Sequence, residues 1–306
     1  MSSDRRALGI DVGGTHLRLG LIAENGVLSA YEKHATATLG DAPVEALAAL
    51  ITDYICRNGM EKRIAAVCIG FPATVDKRRE TVLSAPNVRG LDGVPVGRLL
   101  SEQLGLPVYI ERDVNLLLLN DMRRLRVAAQ DVVACYVGTG LGNAILLGGR
   151  LFVGNSGVAG ELGHIPYGDG STPCGCGNEG CAEGLVAGRY LAALADGPLS
   201  PTPVGDLFAV HGGHPLLQTY VERLARVIAT EINILDPEVL LLGGGVIHMP
   251  AFPRATLEGA IRAHTRKPLP NDTLRILYAE DTDGNGGVLG AGILAWRYVS
   301  NEDSHR

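Results

Sequence analysis

Residues 7–23 read Ala7-Leu8-Gly9-Ile10-Asp11-Val12-Gly13-Gly14-Thr15-His16-Leu17-Arg18-Leu19-Gly20-Leu21-Ile22-Ala23, and they set the plan of the chain. An apolar run, a Gly-Gly turn with an acidic residue at its lip and a second apolar run describe a β-hairpin. Two successive glycines let backbone N–H groups approach phosphate oxygens, and Thr15 adds a hydroxyl donor. Asp11 stands where a carboxylate could hold a hydrated Mg²⁺ opposite those phosphates. A plain turn uses the same letters, because Gly-Gly is common in hairpins, so a second occurrence carries weight.

That occurrence lies at residues 132–147. Val133-Ala134-Cys135-Tyr136-Val137 leads into Gly138-Thr139-Gly140-Leu141-Gly142, and Ala144–Leu147 returns. Two strand, glycine-turn, strand blocks about half a chain apart suggest a duplicated architecture that holds a nucleotide between two lobes. The second turn is not a dinucleotide fingerprint: Asn143 stands where the third glycine belongs, and a strand rather than a helix follows. No G-x-x-x-x-G-K-[ST] stretch occurs, which excludes a P-loop.

Composition narrows the classes. The chain has 306 residues, enough for two lobes, with 46% hydrophobic and 20% charged residues, which argues against a disordered chain. Its 41 glycines are about twice average usage. They follow no three-residue period, so collagen is excluded, and they cluster where turns or close approach to a ligand need them. A net charge of −6 lacks the footprint of a nucleic-acid binder. Met1–Arg6 is polar and carries no signal-like segment, and Val132–Gly149 reads as strand–turn–strand rather than a membrane span. A soluble, cytoplasmic protein is expected, with no membrane or nucleic-acid partner.

Between the glycine turns lie helical patterns. Val44, Leu47, Ile51, Tyr54 and Ile55 fall at helical spacing, as do Leu217, Tyr220, Val221, Leu224, Val227, Ile228, Ile232 and Leu235. Asp236-Pro237 ends the second of these, and Val239–Leu242 enters Gly243-Gly244-Gly245 as a buried strand. A last helix is expected over Val288–Val299. Strands alternating with helices make the class α/β.

The cysteines divide into two groups. Cys56, Cys68 and Cys135 lie singly in apolar settings and are expected to be small buried hydrophobes. Cys174, Cys176 and Cys181 crowd into one glycine-rich loop downstream of His164, a closed Cys₃His set that suits structural Zn²⁺ and leaves no open position for a reacting water. Gly175, Gly177 and Gly180 let that loop fold around an ion. Glu161 and Glu183 bracket it, and converging carboxylates suit adjacent sugar hydroxyls. In Glu111-Arg112-Asp113-Val114-Asn115, Asp113 sits at an expected helix start. It is read either as an N-cap or as a general base kept ionised by the helix N-terminus. Ser84-Ala85-Pro86-Asn87 reads as a turn.

Taken together and in order, Asp11-Val-Gly-Gly-Thr15, Pro86-Asn87, Asp113-Val-Asn115, Gly138-Thr-Gly-Leu-Gly142, Glu161-Leu-Gly-His164, the Cys174/Cys176/Cys181 loop with Glu183, and Leu242-Gly-Gly-Gly-Val246 resemble the ROK family of bacterial sugar kinases and repressors. The resemblance implies an actin-like ATPase (ribonuclease H-like, duplicated) α/β fold with two lobes and an interlobe cleft. The expected lobes are 1–122 plus about 289–306, the smaller, and 123–288, the larger. It implies ATP and Mg²⁺ as cofactors, a hexose as second substrate, and a homodimer. Asp113 becomes the catalytic base toward the sugar 6-hydroxyl. Asn87, Arg112, Glu161, His164 and Glu183 become sugar contacts, with His164 also on zinc. Asp11, Gly13, Gly14, Thr15, Gly138, Thr139 and Gly140 become the phosphate loops, and Gly243, Gly244 and Gly245 the adenosine side.

One position departs from the glucokinases of the family. They carry Asn immediately before the catalytic Asp, where Arg112 stands here, longer, charged and donor-only. Arg-Asp-Val-Asn resembles the D-allose kinase subgroup, as do residues 157–166, 249–254 and 267–270, so D-allose 6-phosphorylation is the expected reaction. The alternatives are a kinase for glucose or an N-acylated hexosamine, or a non-catalytic sugar-sensing ROK protein. Eight residues before Gly9 leave no room for a DNA-binding helix-turn-helix, which disfavours the last.

Overall fold

A computed structural model describes residues 4–168, 170, 172–280 and 283–303. Packing divides the chain into two units: Met1–Val127 with Val153–Ala159 and Thr282–Arg306, and Ala128–Phe152 with Gly160–Asp281. The sequence reading places the divisions near 122 and 289 and does not anticipate the return of 153–159 to the first unit. Residues 1–3 and 304–306, which that reading includes in the first lobe, lie outside the described residues.

The first unit opens with β1 (Arg6–Val12), β2 (His16–Ile22) and β3 (Leu28–Ala35), followed by α1 (Pro43–Arg57), β4 (Ile64–Phe71), the short β5 (Thr74–Val75) and β6 (Val82–Ser84), α2 (Val96–Leu104), β7 (Val108–Arg112) and α3 (Asp113–Arg124). Its main sheet has the order β3-β2-β1-β4-β7, antiparallel across β1–β2–β3 and parallel across β1–β4–β7. β4 is buried along its whole length, as a central parallel strand must be.

The second unit repeats this plan. β8 (Val132–Val137), β9 (Leu141–Leu147) and β10 (Arg150–Leu151) form the antiparallel part. After them come α4 (Glu183–Val186), α5 (Gly188–Asp196), α6 (Leu207–His211), α7 (Pro215–Leu235), β11 (Val239–Gly243), α8 (Arg254–His264) and β12 (Arg275–Tyr278). The sheet order β10-β9-β8-β11-β12 matches the first, with β8–β11–β12 parallel. The duplication inferred from two short glycine turns therefore extends over five strands each.

Helix α9 (Gly286–Asp303) closes the first unit. It packs unusually near its neighbours because its contact face is glycine. A Cβ at Gly287 would fall 2.6 Å from Asp11 Cγ, one at Gly290 2.0 Å from the Leu116 carbonyl oxygen, and one at Gly292 2.5 Å from Ile22 Cγ1. These glycines fix the depth at which α3 and the β1–β2 hairpin sit against α9, and so the position of Asp11.

The expected helical stripes are buried at Val44, Leu47, Ile51, Tyr54 and Ile55 in α1 and from Leu217 to Ile232 in α7, while Leu235, the last position expected, is half-buried at the helix end. α7 ends at Asp236 in the left-handed region, with Pro237 beyond it, and the last helix spans Gly286–Asp303, longer than the expected Val288–Val299. Cys68 and Cys135 are buried, but Cys56 is exposed. It falls on the solvent side of α1, one residue beyond the apolar stripe, and its apolar sequence neighbours face the other way. Among the described residues no helix is long and apolar enough to cross a membrane.

Candidate functional site

The first glycine turn is held from behind. The Gly13 amide donates to the His16 carbonyl (2.8 Å), the Thr36 hydroxyl donates to the Gly13 carbonyl (2.6 Å), and the Thr36 amide donates to the Thr15 carbonyl (2.9 Å). Gly14 and Thr15 are left exposed at the tip. Gly14 stands beside Asn87: an added Cβ would meet Asn87 Cβ at 3.5 Å. Asn87 lies in the expected turn, where the Val88 amide donates to the Ala85 carbonyl (3.0 Å) and the Ala85 amide is held by Asp92 Oδ1 (2.6 Å).

Asp11 pairs across the hairpin with Arg18, whose Nη1 lies 3.2 Å from Asp11 Oδ2. Arg18 was not singled out from the sequence; the signal was the hairpin register, which puts residues 11 and 18 opposite each other. Asp113 is the first residue of α3 and Arg112 is its N-cap, a shift of one position from the expectation. Asp113 Oδ1 accepts from the Val114 amide (2.8 Å). The helix N-terminus does not hold this carboxyl in the ordinary range. Burial first, and the nearby Asp11 carboxylate second, push it up to about 6, against the Val114 amide and Arg112, which favour the ion. The helix end is legible in the sequence but the like charge is not, because Asp11 is about a hundred residues away in the chain.

Arg112 is buried, and its Nη1 donates to the Ala159 carbonyl. Beneath it Glu111 and Arg79 form a buried pair (3.1 Å), with Glu111 Oε1 also accepting from the Arg112 amide (2.8 Å) and Asn115 Nδ2 (2.9 Å). Every one of these groups belongs to the first unit.

In the second unit the turn Gly138–Leu141 joins β8 to β9, and the Gly138 amide donates to the Gly140 carbonyl (3.0 Å). The run Gly243-Gly244-Gly245 lies against the strand that enters this turn. Gly244 has φ +92°, and a Cβ there would meet the Val137 amide nitrogen and carbonyl oxygen at 2.5 Å each; the Val246 amide donates to the Val137 carbonyl (2.9 Å). His248, also unforeseen, faces the Gly244 carbonyl with Nδ1 (2.8 Å) and the Ala279 carbonyl with Nε2 (2.7 Å).

His164, Cys174, Cys176 and Cys181 converge, each offering a ligand atom within 4.8 Å of all the others. His164 Nδ1 is 3.5 Å from Cys174 Sγ, and Cys176 Sγ is 3.6 Å from Cys181 Sγ. Those separations suit four donors around one small ion, and three thiolates with one imidazole are a donor set that Zn²⁺ takes. Backbone turns shape the knuckle: the Gly177 amide donates to the Cys174 carbonyl (3.0 Å) and the Cys174 amide to the Asn178 carbonyl (2.8 Å). The other ring nitrogen of His164, Nε2, faces Glu161 Oε2 at 3.6 Å. Glu183 lies next to Gly163, whose added Cβ would meet Glu183 Cβ at 3.3 Å, but its carboxylate engages Leu141 and Arg189 rather than Glu161 or His164.

The ROK family profile matches residues 7–297, and the chain belongs to that family. It is 31% identical to a glucokinase of Streptomyces coelicolor over 78% of this chain and 81% of that one. It is 30% identical to an N-acetylmannosamine kinase of Salmonella typhi over 94% of this chain and 97% of that one. A ROK family glucokinase from Streptomyces griseus, solved in complex with glucose and AMPPNP, superposes with a TM-score of 0.75 at 29% identity, covering 95% of this chain and 99% of that one. Two five-stranded sheets of one strand order, together with this likeness, make the fold actin-like and two-lobed.

Proposed function

We propose that this chain is an ATP-dependent hexose kinase that transfers the γ-phosphoryl group to the sugar 6-hydroxyl, with D-allose as its preferred substrate. The observation that carries the reading is Asp113: a carboxyl at the start of α3, raised to about 6 by burial and by Asp11, is matched to taking a proton near neutral pH. Asp113 removes the proton of the 6-hydroxyl as that oxygen attacks the γ-phosphorus, and the bond to the leaving ADP oxygen breaks.

In the first unit, Asn87, Arg112 and Asp113 are assigned to the hexose, and Gly13, Gly14 and Thr15 to phosphate. In the second, Glu161, His164 and Glu183 are assigned to the hexose, Gly138, Thr139 and Gly140 to phosphate, and Gly243, Gly244 and Gly245 to the adenosine side. Mg²⁺ would be held through Asp11 and supplies charge neutralisation at the transferring group. Zn²⁺ on His164, Cys174, Cys176 and Cys181 would fix the orientation of the His164 ring and the fold of its loop. Catalysis itself rests on Asp113 and on turn amides already positioned by Thr36 and the β8–β9 register.

Support for allose is Arg112, a donor-only side chain at the position where the family's glucokinases carry Asn. Allose differs from glucose at C3, so a changed contact there is chemically consistent. Phosphorylation of glucose or N-acetylmannosamine is the second reading, favoured by the names of the relatives. A coupled ADP-release assay across allose, glucose, mannose and N-acetylated hexosamines tests both. The expected outcome is the highest kcat/KM with allose; a higher value for another sugar removes the allose assignment, and no turnover on any hexose removes the kinase assignment.

A further inference from the structure

The second glycine turn is built onto the segment that follows the Cys174–Cys181 loop. The carbonyls of Gly138 and Thr139 accept from the amides of Gly188 (2.7 Å) and Arg189 (3.1 Å), the first two residues of α5. The Leu141 amide donates to Glu183 Oε2 (2.9 Å), and Glu183 Oε1 pairs with Arg189 Nη2 (3.0 Å). Arg189 Nε completes the circuit on the Thr139 carbonyl (3.4 Å).

This arrangement leaves no slack. A Cβ at Gly140 would fall 2.5 Å from Glu183 Oε2, and one at Gly188 2.6 Å from the Gly138 carbonyl oxygen. The glycines therefore admit the carboxylate and α5 as much as they admit a phosphate. Glu183 follows Cys181 by two residues, and Ala182 between them is fully buried, its amide bound to the Ile165 carbonyl (3.0 Å) beside His164. Cys181 and His164 are thus joined to Glu183 through a short segment whose backbone is hydrogen-bonded.

We infer that Glu183 and Arg189 are positioning residues for the nucleotide, and that through them the state of the Cys₃His cluster is read at the Gly138–Leu141 turn. The inference rests on the kinase reading only in taking that turn to face phosphate. It gives Glu183 a role besides its assigned sugar contact, which its remaining lone pairs still permit. Donors held in place before the ligand arrives cost no reorganisation on binding, so loosening the clamp weakens nucleotide affinity even where no sugar is present.

Titration calorimetry with Mg·AMPPNP, in the absence of sugar, measures this on wild type, Glu183→Ala, Arg189→Ala, Arg189→Lys and a surface control, Arg226→Ala. Loss of a charge-assisted bond predicts about tenfold weaker nucleotide binding in Arg189→Ala and in Glu183→Ala. Arg189→Lys should recover most of the loss, and Arg226→Ala should match wild type. Chelating the metal should weaken nucleotide binding about tenfold in wild type and add little in Glu183→Ala, since the connection is already cut. Nucleotide affinities within twofold of wild type in Arg189→Ala and Glu183→Ala overturn the inference, as does chelation acting equally in both backgrounds. Should Glu183→Ala fail to fold, the Arg189 pair decides alone. Wild type that binds no nucleotide overturns the kinase reading along with it.

Discussion

Glu231 of α7 gives the most exacting test of the second unit's core. It is buried at 6% exposure among apolar side chains, with Asn143 Nδ2 from β9 at 2.8 Å and Cys135 Sγ from β8 at 3.9 Å. Among the described residues around it no cation offsets the cost of ionising it, so burial pushes its carboxyl from the ordinary 4.5 up to about 8, against the two hydrogen bonds. An acid raised on folding is neutral in the folded chain while the unfolded chain has already ionised. The folded state is thus stabilised least at high pH: stability falls as pH rises from about 4.5 and levels off above about 8. Each tenfold change in proton affinity is worth about 1.4 kcal/mol, which sets a ceiling of about 5 kcal/mol over the whole range and about 3 kcal/mol between pH 5 and pH 7. Glu231→Gln keeps an acceptor for Asn143 and removes the titration. Urea unfolding followed by far-ultraviolet circular dichroism at pH 5, 6, 7 and 8 should show the variant within about 1 kcal/mol of wild type at pH 5. It should then gain on wild type as the pH rises, by about 3 kcal/mol at pH 7. Asp113 and Glu111 titrate alike in both proteins and cancel in the difference. A variant that tracks wild type at every pH, or loses ground as pH rises, refutes the reasoning.

Three further outcomes are expected. Asp113→Asn should lower kcat by at least about a hundredfold with hexose binding retained, while in wild type kcat/KM should fall below a pH of about 6 as Asp113 protonates; near-normal turnover in the variant removes the assignment. Elemental analysis should find about one zinc per chain, and its removal should lower the thermal midpoint and weaken hexose binding together; metal-free protein with unchanged KM removes the role of the cluster. Gly244→Ala, which forces a Cβ to 2.5 Å from the Val137 backbone at φ +92°, should cost about 3 kcal/mol and roughly 10 °C of thermal midpoint, whereas Gly245→Ala, with open space around it, should leave the midpoint nearly unchanged.

The parts of this fold legible in the sequence are those whose cause is local. A hairpin around Gly13-Gly14, a heptad-like stripe from Leu217 to Ile232 and a helix stop at Asp236-Pro237 each need only their own neighbours, and each stands in the structure where the letters put it. The duplication was visible only at its two turns, because the strands that complete it share topology and not sequence. Cys56 shows the limit of reading by surroundings: sequence neighbours in a helix point in different directions, and one residue of rotation turns a core position into a surface one. The glycines of α9 went unread for the related reason that a glycine inside a helix registers as a weakness until its partner strand is known.

The candidate site divides along the same line, and the division bears on how its chemistry is tuned. Residue types were enough to assemble His164 with three cysteines, because a metal-ligating donor set is one that the letters themselves display. The upward shift of Asp113 was not legible, because it comes from burial and from Asp11, which lies about a hundred residues away on β1. Glu183 adds a case in geometry: the motif presents it as a hydroxyl-binding acid, and the structure adds bonds from its carboxylate to Leu141 and Arg189 that no motif displays. A carboxylate with both oxygens engaged has a fixed orientation, so any sugar hydroxyl it accepts must come to it. The stereochemical choice between hexoses would then lie less in the acids of the motif than in what holds them, Arg189 for Glu183 and the Ala159 carbonyl for Arg112. Exchange of Arg112 for Asn alone should therefore loosen the 153–159 segment before it restores a glucokinase's preference. Thermal midpoint and the allose-to-glucose ratio of kcat/KM, measured on that one variant, separate the two effects: a ratio that inverts with no loss of stability places the choice in Arg112's own contact with the sugar.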